Sequence, residues 1–324
     1  MISIYEGRAW RVCGWRGVCR IIGLFVLLAT TSMAWAGSSG QNYYASPEAA
    51  IAALVDAVKS NDKVELSELL GPHGSKLISS GDAVADKNGR AAFVKAYGES
   101  SKLTFEGDAK AVLVIGSKDW PFPIPLVKSD NVWRFDTGQG EQEILNRRIG
   151  RNELESIQVS LAIVDAEREY AALQLSREGS AKYASRIVST AGKHDGLYWQ
   201  TKAGEPPSPL GPLVAAAASE GYKPDYSLGR APYHGYLYRI LAAQGKDAHG
   251  GEYKYFIKGK MIGGFAAVAY PARYGASGIK TFIVNHDGVV FEKDLGPHTV
   301  AVASRISAYN PDSTWKQVAL PPEK

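Results

Sequence analysis

Residues 264–296, GFAAVAYPARYGASGIKTFIVNHDGVVFEKDLG, decide how the second half of this chain folds. Three runs rich in β-branched and aromatic residues alternate here with two glycine-containing turn signals, a pattern that predicts three strands. A long helical pattern precedes them in the sequence. A helix followed by a small antiparallel sheet predicts an α+β architecture for this half.

The second turn, NHDG at residues 285–288, is the sharpest local signal in this stretch. Asp-Gly between apolar strands is typical of a hairpin because glycine readily takes a positive φ. The alternative is a calcium loop, for which positions 285, 287 and 288 and Asp294 are suitably spaced. Its first ligand would be Ile283, which has no side-chain oxygen, so the hairpin is favoured. His286 and Asp287 remain candidate ligand-binding residues.

The helical pattern covers residues 141–178, with Gly150 as a candidate break. Its apolar residues fall in two adjacent rows, which predicts a wide buried face and a central packing role. The rows are Leu154, Ile157, Leu161, Val164 and Val159, Ile163, Ala166, Tyr170, Leu173. A charged cluster begins the helix, and we expect it to form ion pairs between the two halves of the chain, with an anion site as the alternative. It comprises Arg147, Arg148, Arg151 and Glu153.

The residues before this helix predict a separate α+β domain over 43–138, which leaves 141–320 as the second domain. Ser46 and Asp62 are expected to cap two helices, and a third helix is expected over 89–97. Four short strands should follow, over 103–106, 109–115, 122–128 and 132–136. Alternating prolines make the third an edge strand or an extended arm. Helices before a curved sheet look similar to the cystatin-like cone of the nuclear-transport-factor-two superfamily.

The first 36 residues are predicted to be a signal peptide. Four arginines precede an apolar segment at 21–31, and Ala34-Trp35-Ala36 is a small-residue cleavage signal. The apolar segment is shorter than the roughly 18–20 residues that span a bilayer. We therefore expect cleavage after Ala36, a periplasmic or secreted protein, and no stable membrane span. Both cysteines lie in the removed part, so the mature chain would have no disulfide and no thiolate site.

The composition argues against nucleic-acid binding. The formal net charge is +4, and most of it comes from the arginines of the leader. The rest of the chain has no basic stripe interleaved with stacking aromatic residues.

Motifs of catalysis and metal binding are missing from the sequence pattern. It contains no H-E-x-x-H, no G-x-S-x-G and no phosphate loop, so we expect neither a metal nor a cofactor. His234, His249 and His286 could converge on the sheet, but solvated loop histidines are the favoured interpretation. An enzyme would need a pocket in the first domain, with Asp56 and His73 as its candidate residues.

A long loop rich in glycine and proline, residues 192–212, is the best candidate for a binding surface. It contains Asp195, Tyr198 and Trp199, and loop aromatics can anchor a ligand or a partner. The alternative is that Tyr198 and Trp199 fold back as a lid over the second core.

Five strings of sequence carry a resemblance to a known family. They are FDTGQGEQEILNRRIGRNEL (135–154), HDGLYWQ (194–200), PPSPLGPLVAAAASEGY (206–222), YHGYLYRIL (233–241) and the stretch 264–296. Together they resemble bacterial exported proteins grouped as family 2950 of the domains of unknown function. The resemblance implies a signal peptide and a place in the cell envelope, and it assigns no activity.

The second half also resembles type IV pilin and pseudopilin domains. The counterparts of the pilin helix pattern are Asn152, Glu153, Ile157, Leu161, Ile163, Ala166 and Tyr170. Pilins polymerise through an apolar N-terminal helix, whereas arginines precede the helix here, so we expect no fibre. The sequence thus predicts an exported, non-catalytic binding or scaffolding protein whose partner is an envelope protein or a small ligand. An enzyme with a pocket in the first domain is the alternative.

Overall fold

The computed structural model describes residues 40–223 and 231–319. The predicted signal peptide, with its cleavage position after Ala36, lies outside the described residues. Those residues form an α+β protein of helices and antiparallel sheets, as predicted. Within the two described ranges, no helix is both long and apolar enough to cross a membrane.

The described chain begins with short helices, and polar side chains cap two of them at the residues that the sequence predicts. The Ser46 hydroxyl accepts from the N–H of Ala49 at 3.1 Å, and the Asp62 carboxylate accepts from the N–H of Val64 at 2.9 Å. The helices are α1 (Pro47–Ser60), α2 (Lys63–Leu70), a 3₁₀ turn (Gly71–Gly74), α3 (Ser75–Ile78) and α4 (Ala83–Glu99). The last begins six residues before the expected start because the buried Asp82 caps it.

The first sheet contains five antiparallel strands in the order β1-β2-β4-β5, with β3 paired to β2. They are β1 (Ser101–Phe105), β2 (Lys110–Ile115), β3 (Trp120–Pro121), β4 (Leu126–Ser129) and β5 (Val132–Phe135). The prediction of one strand over 122–128 is wrong, since residues 122–125 lie outside any strand. Pro123 and Pro125 have no N–H to donate to a ladder, which interrupts the strand there.

The long helix α5 (Thr137–Glu178) has 42 residues and runs through Gly150 without a break. The predicted break is therefore wrong. A single helical glycine costs only about 1 kcal/mol relative to alanine, and packing on both sides of Gly150 outweighs that cost. The predicted burial of Leu154 is also wrong, because this residue is 67% exposed. Ile157, Ile163 and Tyr170 are buried as expected.

The second half adds a five-stranded antiparallel sheet in the order β14-β13-β12-β11-β6 and two small two-stranded sheets, β7-β8 and β9-β10. The elements are α6 (Gly211–Ser219), β6 (Tyr236–Leu241), β7 (Ala243–Gln244), β8 (Tyr253–Lys254), β9 (Phe256–Ile257), β10 (Lys260–Met261), β11 (Ala266–Pro271), β12 (Lys280–Asn285), β13 (Val290–Asp294), α7 (Thr299–Ala303) and β14 (Lys316–Gln317). The three strands predicted for 264–296 are confirmed as β11, β12 and β13.

The turn between β12 and β13 is the predicted hairpin turn. The N–H of Gly288 donates to the carbonyl of Asn285 at 2.9 Å, and Gly288 has a φ of 77°. Its left-handed backbone is the conformation that favours glycine at this position.

Two hydrophobic clusters fill the structure, and α5 reaches both. The first cluster joins α1 and α2 to the first sheet, and Ile144 of α5 packs against it. The second cluster joins Ile157, Ile163 and Tyr170 of α5 to the five-stranded sheet. The division into domains at 43–138 and 141–320 stays a prediction.

A carboxyl group lies inside the second cluster. Glu167 is fully buried, and its Oε2 accepts from the N–H of Ala184 at 2.8 Å. Its Oε1 has no hydrogen-bond partner among the described residues. Burial raises the pKa of Glu167 well above its ordinary value, although the Ala184 hydrogen bond acts in the opposite direction. The folded chain therefore holds this proton more tightly than the unfolded chain does.

We expect Glu167→Gln to remove a pH dependence of stability. Above an ordinary pKa of 4.5 the unfolded state releases this proton while the folded state keeps it, so the free energy of unfolding falls as pH rises. Urea unfolding at several pH values between about 5 and 8 measures the slope. Glu169→Gln, on the exposed face of the same helix, should keep the wild-type slope. Equal slopes for wild type and Glu167→Gln would contradict the assignment.

Candidate functional site

A cavity of about 360 Å³ lies between the first hydrophobic cluster and the start of α5. Its walls come from α1, α2, α4, the residues around β3, and α5. Its size falls within the range of roughly 300–1,000 Å³ that is usual for small-molecule sites. The walls differ in chemistry from one end to the other.

Aromatic and aliphatic side chains line one end of the cavity. The ring of Phe122 meets Phe93 edge-on at a centroid distance of 5.6 Å and Trp120 at 6.1 Å. Ile144, on the second turn of α5, also lines the cavity. Leu54 and Leu66 extend the apolar wall into the first cluster. This end suits an apolar group.

Three of the four lining arginines, Arg90, Arg148 and Arg151, lie at the other end, whereas Arg147 lies above the ring of Trp120. Arg148 donates to the carbonyl oxygens of Lys76 at 2.7 Å and Leu77 at 2.8 Å. Burial lowers the pKa of Arg148; Asp86 opposes this shift, while the nearby charges of Arg151 and Arg90 add to it. Like charges have therefore been brought close together at this end, so an anion would be stabilised there.

Two of these arginines form no ion pair with the described residues. The Nε of Arg90 is buried and has no hydrogen-bond partner among the described residues. Arg151 is exposed, and in the part of the chain that the structure describes it has no ion pair. The carboxylate of Asp86 accepts from the N–H of Ser80 at 3.0 Å, and among the described residues it forms no ion pair with an arginine.

The arrangement can bind an anion, and one carboxyl group lies beside its arginines. Guanidinium groups stay protonated in proteins and present a planar fork of donors to carboxylates and phosphates. Among the lining residues in the described ranges, Asp86 is the one titratable group besides the arginines, and its oxygens are engaged by Ser80. General acid–base catalysis needs a group that exchanges protons near the working pH.

The candidate residues of the enzyme alternative lie outside this cavity. Asp56 is exposed on α1. The side chain of His73 is 63% exposed, and its Nδ1 lies 3.1 Å from Oε2 of Glu141. Neither residue lines the cavity. The pocket exists in the first half of the chain, but with a different set of polar groups.

Two of the four charged residues at the start of α5 contact backbone groups, and a third forms an ion pair within the helix; the ion pairs expected between the halves stay a prediction. Arg147 pairs with Glu143 one turn earlier, at 2.7 Å, and lies 5.7 Å above the ring of Trp120. Glu153 accepts from the N–H groups of Ile279 and Lys280, both at 3.0 Å. Arg148 and Glu153 thus bind opposite halves of the chain through main-chain atoms.

The loop with Asp195, Tyr198 and Trp199 packs against the second hydrophobic cluster. Both aromatics are half-buried, and the Trp199 ring stacks on His194 at 4.3 Å. The Asp195 carboxylate accepts from the N–H of Thr190 at 2.7 Å. This corresponds to the folded-back alternative, and binding of a ligand or partner by the loop stays a prediction.

His286 and Asp287 lie together at the hairpin turn. Asp287 accepts from the side-chain amide of Asn285 at 3.1 Å, and His249 Nδ1 lies 4.0 Å from Asp287 Oδ2. Within the two described ranges, no group of three metal-ligating side chains is placed to hold an ion. Ligand binding by His286 and Asp287 stays a prediction.

His234 lies elsewhere, among acidic residues. Its Nδ1 is 2.8 Å from Glu155 Oε2, and its Nε2 is 3.5 Å from Glu220 Oε2. Burial opposes the charged form of His234, but these two carboxylates, with Asp82, raise its pKa above the ordinary value. The three histidines therefore do not form one site.

The cavity brings together residues that the sequence reading did not connect. Arg90 and Asp86 lie on α4, and nothing in that helix distinguishes them from surface charges. A signal was present on α5, where Ile144, Arg148 and Arg151 are spaced by four and three residues and so share a face. That spacing places an apolar residue and two arginines along one wall.

A comparison with protein families matches residues 41–318 to the family described as Protein of unknown function (DUF2950). Because the match covers most of the chain, the chain belongs to this family. No curated protein and no solved structure matches the chain.

We expect Arg148→Met to destabilise the fold, because it leaves the carbonyls of Lys76 and Leu77 without their donor. The loss should be about 1–3 kcal/mol in the free energy of unfolding, measured by urea denaturation. Arg147→Met removes the same charge, a half-exposed ion pair with Glu143 and a contact with the Trp120 ring, and should cost no more than about 1 kcal/mol. A larger loss for Arg147→Met than for Arg148→Met would contradict this assignment.

Proposed function

We propose that this member of the DUF2950 family is an exported binding protein of the cell envelope whose cavity holds an anionic amphiphile, that is, a molecule with an apolar body and an acidic end. The observation that carries the proposal is the polarity of the cavity. Aromatic residues line one end, with Arg147 above Trp120, and the other three lining arginines, Arg90, Arg148 and Arg151, lie at the other end.

The length of the cavity supports an elongated ligand. Ile144 and Asn152 both line it and are eight residues apart on one helix, which corresponds to about 12 Å along the axis. An apolar body would lie against Phe93, Phe122 and Ile144. It would supply the dispersion contacts that side chains facing an open cavity lack.

The arginine end supports an acidic group on that ligand. The guanidinium groups of Arg90 and Arg151 would supply donors, and carboxylate and phosphate oxygens are the acceptors that guanidinium groups bind best. A negative charge there would also offset the repulsion among Arg90, Arg148 and Arg151. Binding rather than catalysis is supported by the lining, where Asp86 is the one titratable group besides the arginines among the described residues.

Export and envelope location belong to the same proposal. They are supported by the arginine-rich leader with its small-residue cleavage signal at 34–36. The likeness of the first half to a cystatin-like cone and of the second half to pilin domains is likewise proposed. It is supported by the order of helices and antiparallel sheets in each half.

Calorimetric titration with dodecyl compounds that differ in the head group tests the proposal. Dodecanoate and dodecyl phosphate should bind, whereas dodecanol and dodecyltrimethylammonium should bind at least about tenfold more weakly, since a hydrogen bond to a charged group contributes roughly 1.5–3 kcal/mol. Arg90→Gln/Arg151→Gln should weaken dodecanoate binding by a similar factor. Arg177→Gln/Arg305→Gln removes the same charge from exposed positions outside the cavity and should bind like wild type. Equal affinity for dodecanol and dodecanoate would refute the arginine end as the anion site.

A pair of glycines on α4 provides a steric test of the cavity. A Cβ at Gly89 or at Gly98 would meet no atom within 4 Å, so both positions accept a side chain, but only Gly89 lines the cavity. Gly89→Leu should block dodecanoate binding, and it should not lower the melting temperature because leucine favours helix over glycine. Gly98→Leu should be equally stable and bind normally. Unchanged binding by Gly89→Leu would place the ligand elsewhere.

A further inference from the structure

A small hairpin in the second half presents apolar side chains to solvent. It is formed by β9 and β10, with Phe256 opposite Met261 and Ile257 opposite Lys260. Lys258 and Gly259 make the turn with φ values of 48° and 78°. Positive φ at both central residues matches the twist of a two-residue hairpin.

The base of the hairpin is fixed in the second hydrophobic cluster. Tyr255 and Met261 are buried there. The N–H of Tyr255 donates to the carbonyl of Ala242 at 2.9 Å, and the N–H of Tyr183 donates to the carbonyl of Met261 at 2.7 Å. The tip is therefore held in place by a rigid support.

Three large apolar side chains are exposed within this hairpin and the residue that follows it. Phe256 is 40% exposed, Ile257 48% and Ile262 44%. Single exposed apolar residues are ordinary, but a group of them on one short element marks an interaction site.

Lysines surround these apolar residues. Lys254, Lys258 and Lys260 are exposed, and the sequence from 253 to 263 contains no acidic residue. Glu178, the acid that Lys260 influences, is already held by Lys182 at 2.7 Å. The hairpin thus combines an apolar tip with a net positive rim.

We propose that this hairpin docks on an anionic lipid bilayer. Phe256, Ile257 and Ile262 enter the boundary between head groups and acyl chains, and the lysines contact lipid phosphates. Apolar side chains flanked by lysines are the composition of interfacial membrane anchors. Three apolar side chains are few for a stable protein–protein interface, which buries about 1,200–2,000 Å². The hairpin is a different surface from the cavity, and this proposal stands without the cavity ligand.

Co-sedimentation of the full chain with vesicles tests the proposal. Vesicles containing phosphatidylglycerol should bind the chain, and pure phosphatidylcholine vesicles should bind it far more weakly, with affinity falling as salt is raised. Lys258→Gln/Lys260→Gln should weaken binding on the order of twentyfold, since each lysine near an anionic surface contributes about fivefold. Phe256→Ser/Ile257→Ser should weaken it by about tenfold or more.

Val300→Ser/Val302→Ser is the matched control, because these two residues are exposed to a similar degree on α7. That variant should bind like wild type. Every variant carries the same residues 1–39. Any vesicle binding by that segment is therefore the same in all the variants that are compared. Hydrogen exchange on vesicles should slow in residues 254–262 and not in α7. The proposal is overturned if the hairpin variants bind like wild type, if protection appears only elsewhere, or if neither vesicle binds the chain.

Discussion

Six residues of α5, from Arg148 to Glu153, hold the two hydrophobic clusters to one rigid element. Arg148 donates to two carbonyls beside α3. One turn later Asn152 donates to the carbonyl of Ser277 at 2.9 Å, and Glu153 accepts from two N–H groups at the start of β12. Because a helix is stiff and rises about 1.5 Å per residue, these contacts fix where the halves attach. The start of α5 approaches the first sheet so closely that a Cβ at Gly140 would lie 2.3 Å from the Pro123 carbonyl oxygen.

The same constraint accounts for the chemistry of the cavity. The arginine that binds the α3 carbonyls must enter the region between the halves, and α4 places Arg90 beside it. Desolvated like charges are unfavourable unless something compensates them, and Asp86 compensates only in part. The first cluster supplies apolar walls at the other end. A site for an anionic amphiphile thus arises where a structural arginine meets a hydrophobic core.

Local features of the fold were predictable from the sequence, and the cavity was not. The caps at Ser46 and Asp62, the strands of 264–296 and the turn at Gly288 depend on neighbouring residues, so their patterns are visible in the chain. The break at Gly150 and the burial of Leu154 were wrong, because one helical glycine costs only about 1 kcal/mol and an apolar row does not show where the buried face of a helix ends. The cavity walls come from several separate segments between residues 54 and 152, and no local sequence pattern shows that these segments meet.

A crystal structure of the chain with bound dodecyl phosphate tests the central claim most directly. We expect the alkyl chain to lie against Phe93, Phe122 and Ile144, with phosphate oxygens within hydrogen-bond distance, about 2.7–3.2 Å, of the guanidinium groups of Arg90 and Arg151. A ligand bound outside this cavity would contradict it. So would a ligand inside the cavity with its phosphate directed at the aromatic end.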